Sequence, residues 1–469
     1  MALLRSIATV GGFTMISRFL GFARDILIAA ILGAGPVADA FFVAFKLPNF
    51  FRRLFAEGAF NAAFVPLFAR HMSEGGRDAA RRFAEEVLSV FVVALLLFVT
   101  ILQIAMPWIM HGFAPGFADD PLRFDLAVAM TQITFPYLLF ISLVSQLGGV
   151  LNALGKFAAA AAAPIILNLC LITALLGLSA FVATPGHALA WGVAIAGAAQ
   201  FVWLMVACHR AEFQLCLLRP RMTPRVKRLL VLILPGAIGA GVVQVNLLID
   251  VVIASLLPRG SVSFLYYSDR VNQLPLGVIG VAIGTALLPL LSRQLRAGED
   301  DNAMGSMNRA MEFALLLTVP AAAALMVIPD GIIAVLFERG AFGAAETHAT
   351  ARALAAYAIG LPAYVLIKVL GPGFFAREDT VTPVKIAALC VAINLGLNLL
   401  LMGPLLHVGI ALATAISAWI NVGLLLLVLR RRGHFRLDAR LRRAIPRTLM
   451  AAAAMTVAVS LARGALADF

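Results

Sequence analysis

The stretch SRFLGFARDILIAAILGAGPVADAFFVAFKLPNFFRRLFAEGAFNAAFVP (17–66) decides the fold class. Two apolar runs meet at GAGP (33–36), and each approaches the roughly 20 residues that cross the hydrocarbon of a bilayer. So short a joint allows only a reversal, so the two segments are expected to be antiparallel neighbours. Both runs nevertheless carry full charges. Arg18, Arg24 and Asp25 lie in the first; Asp39, Lys46, Arg52, Arg53 and Glu57 lie in the second. An apolar run interrupted by Arg18, Arg24 and Asp25 is also not a cleavable signal peptide.

The same alternation of apolar runs and short joints fills the chain. Of 469 residues, 62% are hydrophobic and 13% charged, an excess no single water-soluble core can hide. Helical segments are expected at 8–33, 36–69, 84–110, 122–152, 158–182, 186–208, 228–257, 262–292, 310–337, 351–375, 382–404, 406–429 and 446–463. Helices are expected because only helices and closed barrels satisfy their backbone in lipid. Barrel strands would be about ten residues long and alternate strictly, which these runs do not. With the N-terminus inside, the inner segments hold 25 Lys and Arg and the outer ones 5. That bias sets orientation and accounts for much of the +13 net charge, so the basic character points to anionic lipid and not to nucleic acid. The four cysteines show no CxxC spacing and read as packing residues.

The two halves echo each other. Asp25 and Gly35 recur as Asp250 and Gly260, Pro66 and Arg70 as Pro289 and Arg293, and Pro136 and Asn168 as Pro362 and Asn394, all at nearly one offset. Six segments per half preserve orientation. The expected architecture is an all-α polytopic membrane protein with two parallel six-helix repeats around a central cavity, related along the membrane normal, plus a thirteenth helix. The expected divisions are an N-terminal lobe (1–208), a cytoplasmic linker (209–227), a C-terminal lobe (228–429), and a basic loop with helix 13 (430–469).

Seven cations remain inside the segments: Arg18, Arg24, Lys46, Arg52, Arg53, Arg270 and Lys368. Five acids join them: Asp25, Asp39, Glu57, Asp250 and Asp269. Each is costly at a helix centre, by about 2.5–3.5 kcal/mol on insertion scales, unless it is paired or lines a wet cavity. Ser17 and Arg24, Arg18 and Asp25, and Asp39, Lys46 and Arg53 are spaced by seven, so each set shares a helix stripe. One reading is ion pairing: Arg24 or Arg18 with Asp39, Arg53 with Glu57, Arg270 with Asp250 or Asp269. The other is a hydrated cavity with surplus positive charge, suited to phosphate because the guanidinium fork binds it bidentately.

A second polar cluster comprises Asn246 and Asp250, Asn394 and Asn398, and Thr414, Ser417 and Asn421. It reads either as interhelical hydrogen bonding or as a small-cation site with Asp250 as its one charge. No Walker A, HExxH or GxSxG motif occurs, so the chain has no ATP-hydrolysing or recognised hydrolytic machinery of its own. A transporter is expected in place of an enzyme, with no cofactor other than Na+.

Residues 17–66, FLYYSDRVNQLPLGVIGVAIGTALLPLLSR (264–293) and GPGFFAREDTVTPVK (371–385) resemble the MurJ (MviN) lipid II flippase family of the multidrug/oligosaccharidyl-lipid/polysaccharide exporter superfamily. The resemblance implies translocation of undecaprenyl-pyrophosphate-linked peptidoglycan precursor from the cytoplasmic to the periplasmic leaflet of the bacterial inner membrane. It implies cavity arginines at Arg18, Arg24, Arg52 and Arg270, further sensitive positions at Ser17, Asp25, Asp39, Arg53 and Glu57, and a sodium site at Asp250, Asn394, Asn398 and Thr414. Where some relatives have a second aspartate, this chain has Asn398. The expected partners are lipid II and membrane lipids, with the protein a monomer associated with cell-wall synthesis proteins. The family has fourteen segments, so a fourteenth is expected to be absent before Phe469. Rival readings are a flippase for another undecaprenyl-linked glycan, a multidrug/sodium antiporter, for which an acid-rich cavity would be expected, and a membrane scaffold, which has no need of central arginines.

Overall fold

A computed structural model describes residues 2–53 and 59–467. Its helices are α1 (Ala2–Leu32), α2 (Pro36–Phe51), α3 (Ala59–Ile104), α4 (Met106–Phe113), α5 (Pro121–Thr134), α6 (Tyr137–Ala153), α7 (Ala158–Leu178) and α8 (Pro185–Arg210), followed by α9 (Pro224–Ser255), α10 (Ser261–Arg296), α11 (Asp300–Val327), α12 (Pro329–Phe337), α13 (Ala344–Phe375), α14 (Val381–Leu405), α15 (His407–Arg431) and α16 (Ala439–Ala467). A 3-10 turn, Pro115–Phe117, lies between α4 and α5. The described residues form no named strand; Arg339 and Phe342 make one isolated bridge. The all-α expectation therefore holds. Several helices, α2, α5, α8, α9 and α12 among them, open on proline, whose missing N–H would be unsatisfied there in any case.

Nine segments among the described residues are long and apolar enough to cross a membrane: Phe60–Ile104, Pro121–Ala153, Ala158–Leu178, Pro185–Arg210, Asp300–Val327, Ala344–Phe375, Val381–Leu405, His407–Arg431 and Ala439–Gly464. They match nine of the thirteen expected segments. The other four correspond to α1, α2, α9 and α10, which carry most of the charges discussed above.

Several expected boundaries need correction; the segment 84–110, for one, runs on from Ala59 in α3 and breaks at Ala105 before α4. The segment 122–152 is broken into α5 and α6, because Pro136 cannot donate to the carbonyl of Gln132. That carbonyl accepts instead from the side-chain amide of Gln103, at 2.8 Å. The segment 310–337 begins ten residues earlier and breaks at Ile328, where Pro329 biases its predecessor away from the helix. The segment 36–69 is represented by α2 and the first arm of α3, residues 54–58 lying outside the described set. Within α3, Gly76 takes φ 70° and ψ −167°, and this splits it into two arms.

Contacts divide the chain into two compact units, Met1–Gly260 and Ser261–Phe469. In the first, rings from both arms of α3 stack into a column. Phe60 meets Phe64 and Phe91 at 5.1 Å each, and Phe64 meets Phe83 at 5.6 Å. Phe213, fully buried, adds an edge to Phe68 at 5.4 Å. It belongs to the segment between α8 and α9, which is docked along α3. The N–H groups of Cys216 and Leu218 donate to Glu85 and Ser89 (3.0 and 2.8 Å), and Thr223 donates to Glu86 (2.8 Å). The linker is thus a strap bonded to its own unit, and α9 packs with α3 in that unit. The second unit has its own apolar core, including Leu291, Met307, Val369, Phe374 and Leu429.

Two predictions follow from this packing. A Cβ at Gly116 would lie 2.3 Å from the Ser255 carbonyl oxygen and 2.6 Å from the Leu256 nitrogen, both of them backbone. Gly116→Val is expected to lower the thermal midpoint in detergent by an overpacking penalty of about 1–3 kcal/mol. Between α13 and α14, the Asp379 carboxylate accepts from the Thr382 N–H (2.9 Å) and from Arg432 (2.5 Å). The Thr382 hydrogen bonds, then Arg432, hold its pKa well below the usual carboxylate range. A depressed folded pKa stabilises above the unfolded value of about 3.9 and loses that effect as pH falls through the folded one. The difference in thermal midpoint between wild type and Asp379→Asn should therefore be constant near neutrality and shrink below about pH 4.

Candidate functional site

Arg24 and Asp25 are neighbours on α1 and both are buried, at 6% and 2% exposure. Arg24 donates through Nε and Nη2 to Asp25 Oδ1 (3.0 and 2.7 Å) and through Nη1 to Asn168 Oδ1 on α7 (2.9 Å). The Asn168 amide in turn donates to the Ser17 carbonyl oxygen, at 2.9 Å. Ser17 and Arg24, seven apart on one stripe, are thereby joined by one side chain from another helix. Arg18 stands differently: it is exposed, with no hydrogen bond or ion pair among the described residues.

Asp39 takes a guanidinium from α5. It is 0% exposed and accepts from Arg123 Nη2 (3.3 Å) and from the Gly260 N–H (2.7 Å). Arg123, 4% exposed, also donates to the Leu257 carbonyl (3.4 Å), and its guanidinium lies 4.0 Å from the Phe117 ring centroid. Arg259 meets Asp120 through two hydrogen bonds, of 2.7 and 3.0 Å, just outside this group. Arg123 is one of the five outer Lys and Arg counted from the sequence, which gave it no part in the site. Its buried role corrects that, and its place in the first turn of α5, three residues after Asp120, was the available signal.

The stripe through Asp39, Lys46 and Arg53 is not uniform, being buried, half-buried and exposed in that order. Arg52 caps α2, its N–H bonding to the Pro48 and Asn49 carbonyls, and is half-buried. Glu57 lies outside the described residues.

In the second unit, Arg270 on α10 lies 4.8 Å from the Tyr266 ring centroid, one turn back, and donates to its hydroxyl at 3.1 Å. Asn394 and Asn398 are buried on α14, Asn398 Nδ2 donating to Asn394 Oδ1 at 2.9 Å. The hydroxyls of Thr414 and Ser417 donate to the Ile410 and Cys390 carbonyls (2.9 and 2.8 Å). Asp250 is half-buried on α9, in the first unit. No group of three or more His, Cys, Asp or Glu side chains among the described residues is arranged to hold a metal. In this arrangement the Asn394 oxygen receives an N–H, and turning the Asn398 amide over would present oxygen in its place.

The residues 28–468 match the family model described as lipid II flippase MurJ. The chain belongs to the MurJ lipid II flippase family. It is 50% identical over 468 residues to a probable lipid II flippase MurJ of Rhizobium meliloti (strain 1021), covering 98% of this chain and 87% of that one. It is 38% identical over 439 residues to the lipid II flippase MurJ of Burkholderia cenocepacia, covering 93% and 85%. Among solved structures it resembles a lipid II flippase MurJ in an inward closed conformation, with TM-score 0.84 and 27% identity over 97% of this chain and 92% of that one. It shares its fold with an inward-facing MATE family multidrug transporter, with TM-score 0.72 and 13% identity over 91% and 97%. Membership in the MurJ family makes the chain a transporter and not an enzyme, and a multi-pass protein of the bacterial inner membrane.

Removing one partner of the buried Asp39–Arg123 pair leaves a charge without its counter-ion. Arg123→Ala is expected to destabilise the protein by about 3 kcal/mol or more. Asp39→Asn combined with Arg123→Met should recover much of that loss in the same thermal-unfolding measurement.

Proposed function

We propose that this chain carries lipid II from the cytoplasmic to the periplasmic leaflet by alternating access. The observation that carries the reading is the full-length match to lipid II flippases, up to 50% identity over 98% of the chain. The positions of the arginines support it. A pyrophosphate-linked headgroup is polyanionic, and Arg18, Arg24, Arg52 and Arg270 supply guanidinium groups able to bind it as planar forks. Arg18, exposed and unpaired among the described residues, meets the headgroup first. Arg24 and Arg270 bind it with their side chains already oriented by Asn168 and Tyr266. The prenyl tail stays in lipid throughout.

The N-terminus is cytoplasmic in this reading, as the distribution of Lys and Arg favours. In this reading the chain is a duplicated six-helix lobe, 1–208 and 228–429, with residues 209–227 between the copies in sequence. The protein works as a monomer, in association with cell-wall synthesis proteins. Sodium or the membrane potential resets the cycle; one charge crossing is worth about 2.3 kcal/mol per 100 mV.

Depleting the protein from its host should make lipid II accumulate in the cytoplasmic leaflet, read by accessibility to an externally added headgroup-modifying probe. Re-expression of wild type should clear it. Arg24→Ala and Arg270→Ala, present at wild-type levels in the membrane, should not. Normal clearance by both variants would remove the binding role given to these arginines.

A further inference from the structure

Lys368 lies on α13 between the buried residues Leu366 and Val369, yet it is itself exposed. Neither an ion pair nor a hydrogen bond engages its ammonium among the described residues. The last residue of α13, Phe375, is about 10 Å further along the axis. A lysine so placed ordinarily runs its stem toward the helix end and reaches water there. Lys368 does the reverse. Its carbonyl oxygen is 4.0 Å from where a Cβ of Gly284 on α10 would stand, whereas its Cδ and Cε are 3.0 and 3.5 Å from the corresponding point at Gly280. The stem therefore climbs a turn of α10 toward that helix's N-terminus, away from Arg293, Arg296 and Arg377 at the charged ends of the two helices. An unpaired ammonium directed away from the helix end is tolerated only where water reaches it, as its exposure shows that water does. Arg270, Gln273, Gly277, Gly280 and Gly284 follow at steps of three and four, so they share one face of α10. Arg270 stands about 15 Å beyond Gly280 on that face, in the direction the lysine stem takes.

We propose that Lys368 is a further substrate-binding residue: it meets a carboxylate of the stem peptide, while Arg270, on the same face of α10, meets the pyrophosphate. The inference rests on the lipid II reading. Lipid II carries both kinds of anion, and five extended peptide residues span about 17 Å, enough to bridge the interval between the two cations. The division follows the chemistry of each side chain. A guanidinium offers a planar fork matched to phosphate; an ammonium is a compact point charge that takes a carboxylate oxygen from any side. Gly280 completes the arrangement. Its missing side chain leaves the channel in which the lysine stem lies, so the stem is ordered before substrate arrives.

The test uses the full-length protein in nanodiscs and measures Kd for two probes, lipid II and a lipid II whose peptide carboxylates are converted to carboxamides. Wild type is expected to bind lipid II about tenfold more tightly than the amide probe, the scale of one hydrogen bond between charged groups. Lys368→Met should lower the affinity for lipid II to that for the amide probe and leave the latter unchanged. Lys368→Arg should keep most of the discrimination. Gly280→Leu retains the lysine but fills its channel; it should lose the discrimination too, and it serves if the methionine variant does not fold. Arg270→Ala should weaken both probes alike. Equal affinity of wild type for the two probes, or equal weakening of both by Lys368→Met, would overturn the inference while leaving the lipid II reading in place. If wild type binds neither probe saturably, the lipid II reading falls and this inference with it.

Discussion

An ionised side chain in an apolar interior has to find its counter-charge, and the first unit is organised by that demand. Asp39 has no exposed surface and is held by a guanidinium from α5 and a main-chain N–H from the turn after α9. Three separate parts of the chain therefore meet at one carboxylate. The same turn is held to the 3-10 segment by the Gly116 N–H, which donates to Ser255 Oγ at 3.2 Å, and the approach is so close that no side chain fits at residue 116. Arg24 and Asp25 solve the same problem locally, on one helix turn. Arg18, by contrast, is exposed. That contrast separates residues that hold the unit together from residues placed to meet something else.

The fold class was legible because it depends on quantities a sequence states directly: run length, charge fraction and the shortness of GAGP. Helix breaks were legible only in part. Pro136 and Pro329 are visible as letters, but whether a proline bends or ends a helix depends on who supplies the missing hydrogen bond. For Pro136 that is Gln103, 29 residues from the carbonyl it satisfies. The charged positions were found because charge inside an apolar run is conspicuous. Their partners were not, because pairing is a matter of side-chain reach between helices. Arg24 chose its sequence neighbour and Asp39 chose Arg123, a residue whose surroundings in sequence look like an exposed loop. Asn168 stands out in sequence only for its recurrence as Asn394; nothing in its own neighbourhood, IILNLC (165–170), announces a bond to α1.

Two of the buried asparagines, Asn168 and Asn394, make opposite uses of the same group. Asn168 spends its oxygen on an arginine and its nitrogen on a backbone carbonyl, both on one neighbouring helix. Asn394 receives the amide of Asn398 from its own helix. An amide can serve either role because it carries a donor and an acceptor in one plane, and its orientation costs little to reverse when its partners allow it. The first is pinned by two partners of fixed polarity. The second is bonded to another amide of its own helix.

The distances along the chain between partners bear on how the protein is made. Arg24 and Asp25 leave the ribosome together, so their bond is available as soon as α1 is. Asp39 is synthesised 84 residues before Arg123 and 221 before Gly260. At about 5–20 residues per second, the first interval is several seconds, long compared with the settling of a helix in lipid. During biogenesis Asp39 on α2 must therefore wait without that partner until α5 is made. A nascent chain halted between α2 and α5 carries the carboxylate of the first unit's buried pair without the guanidinium that completes it.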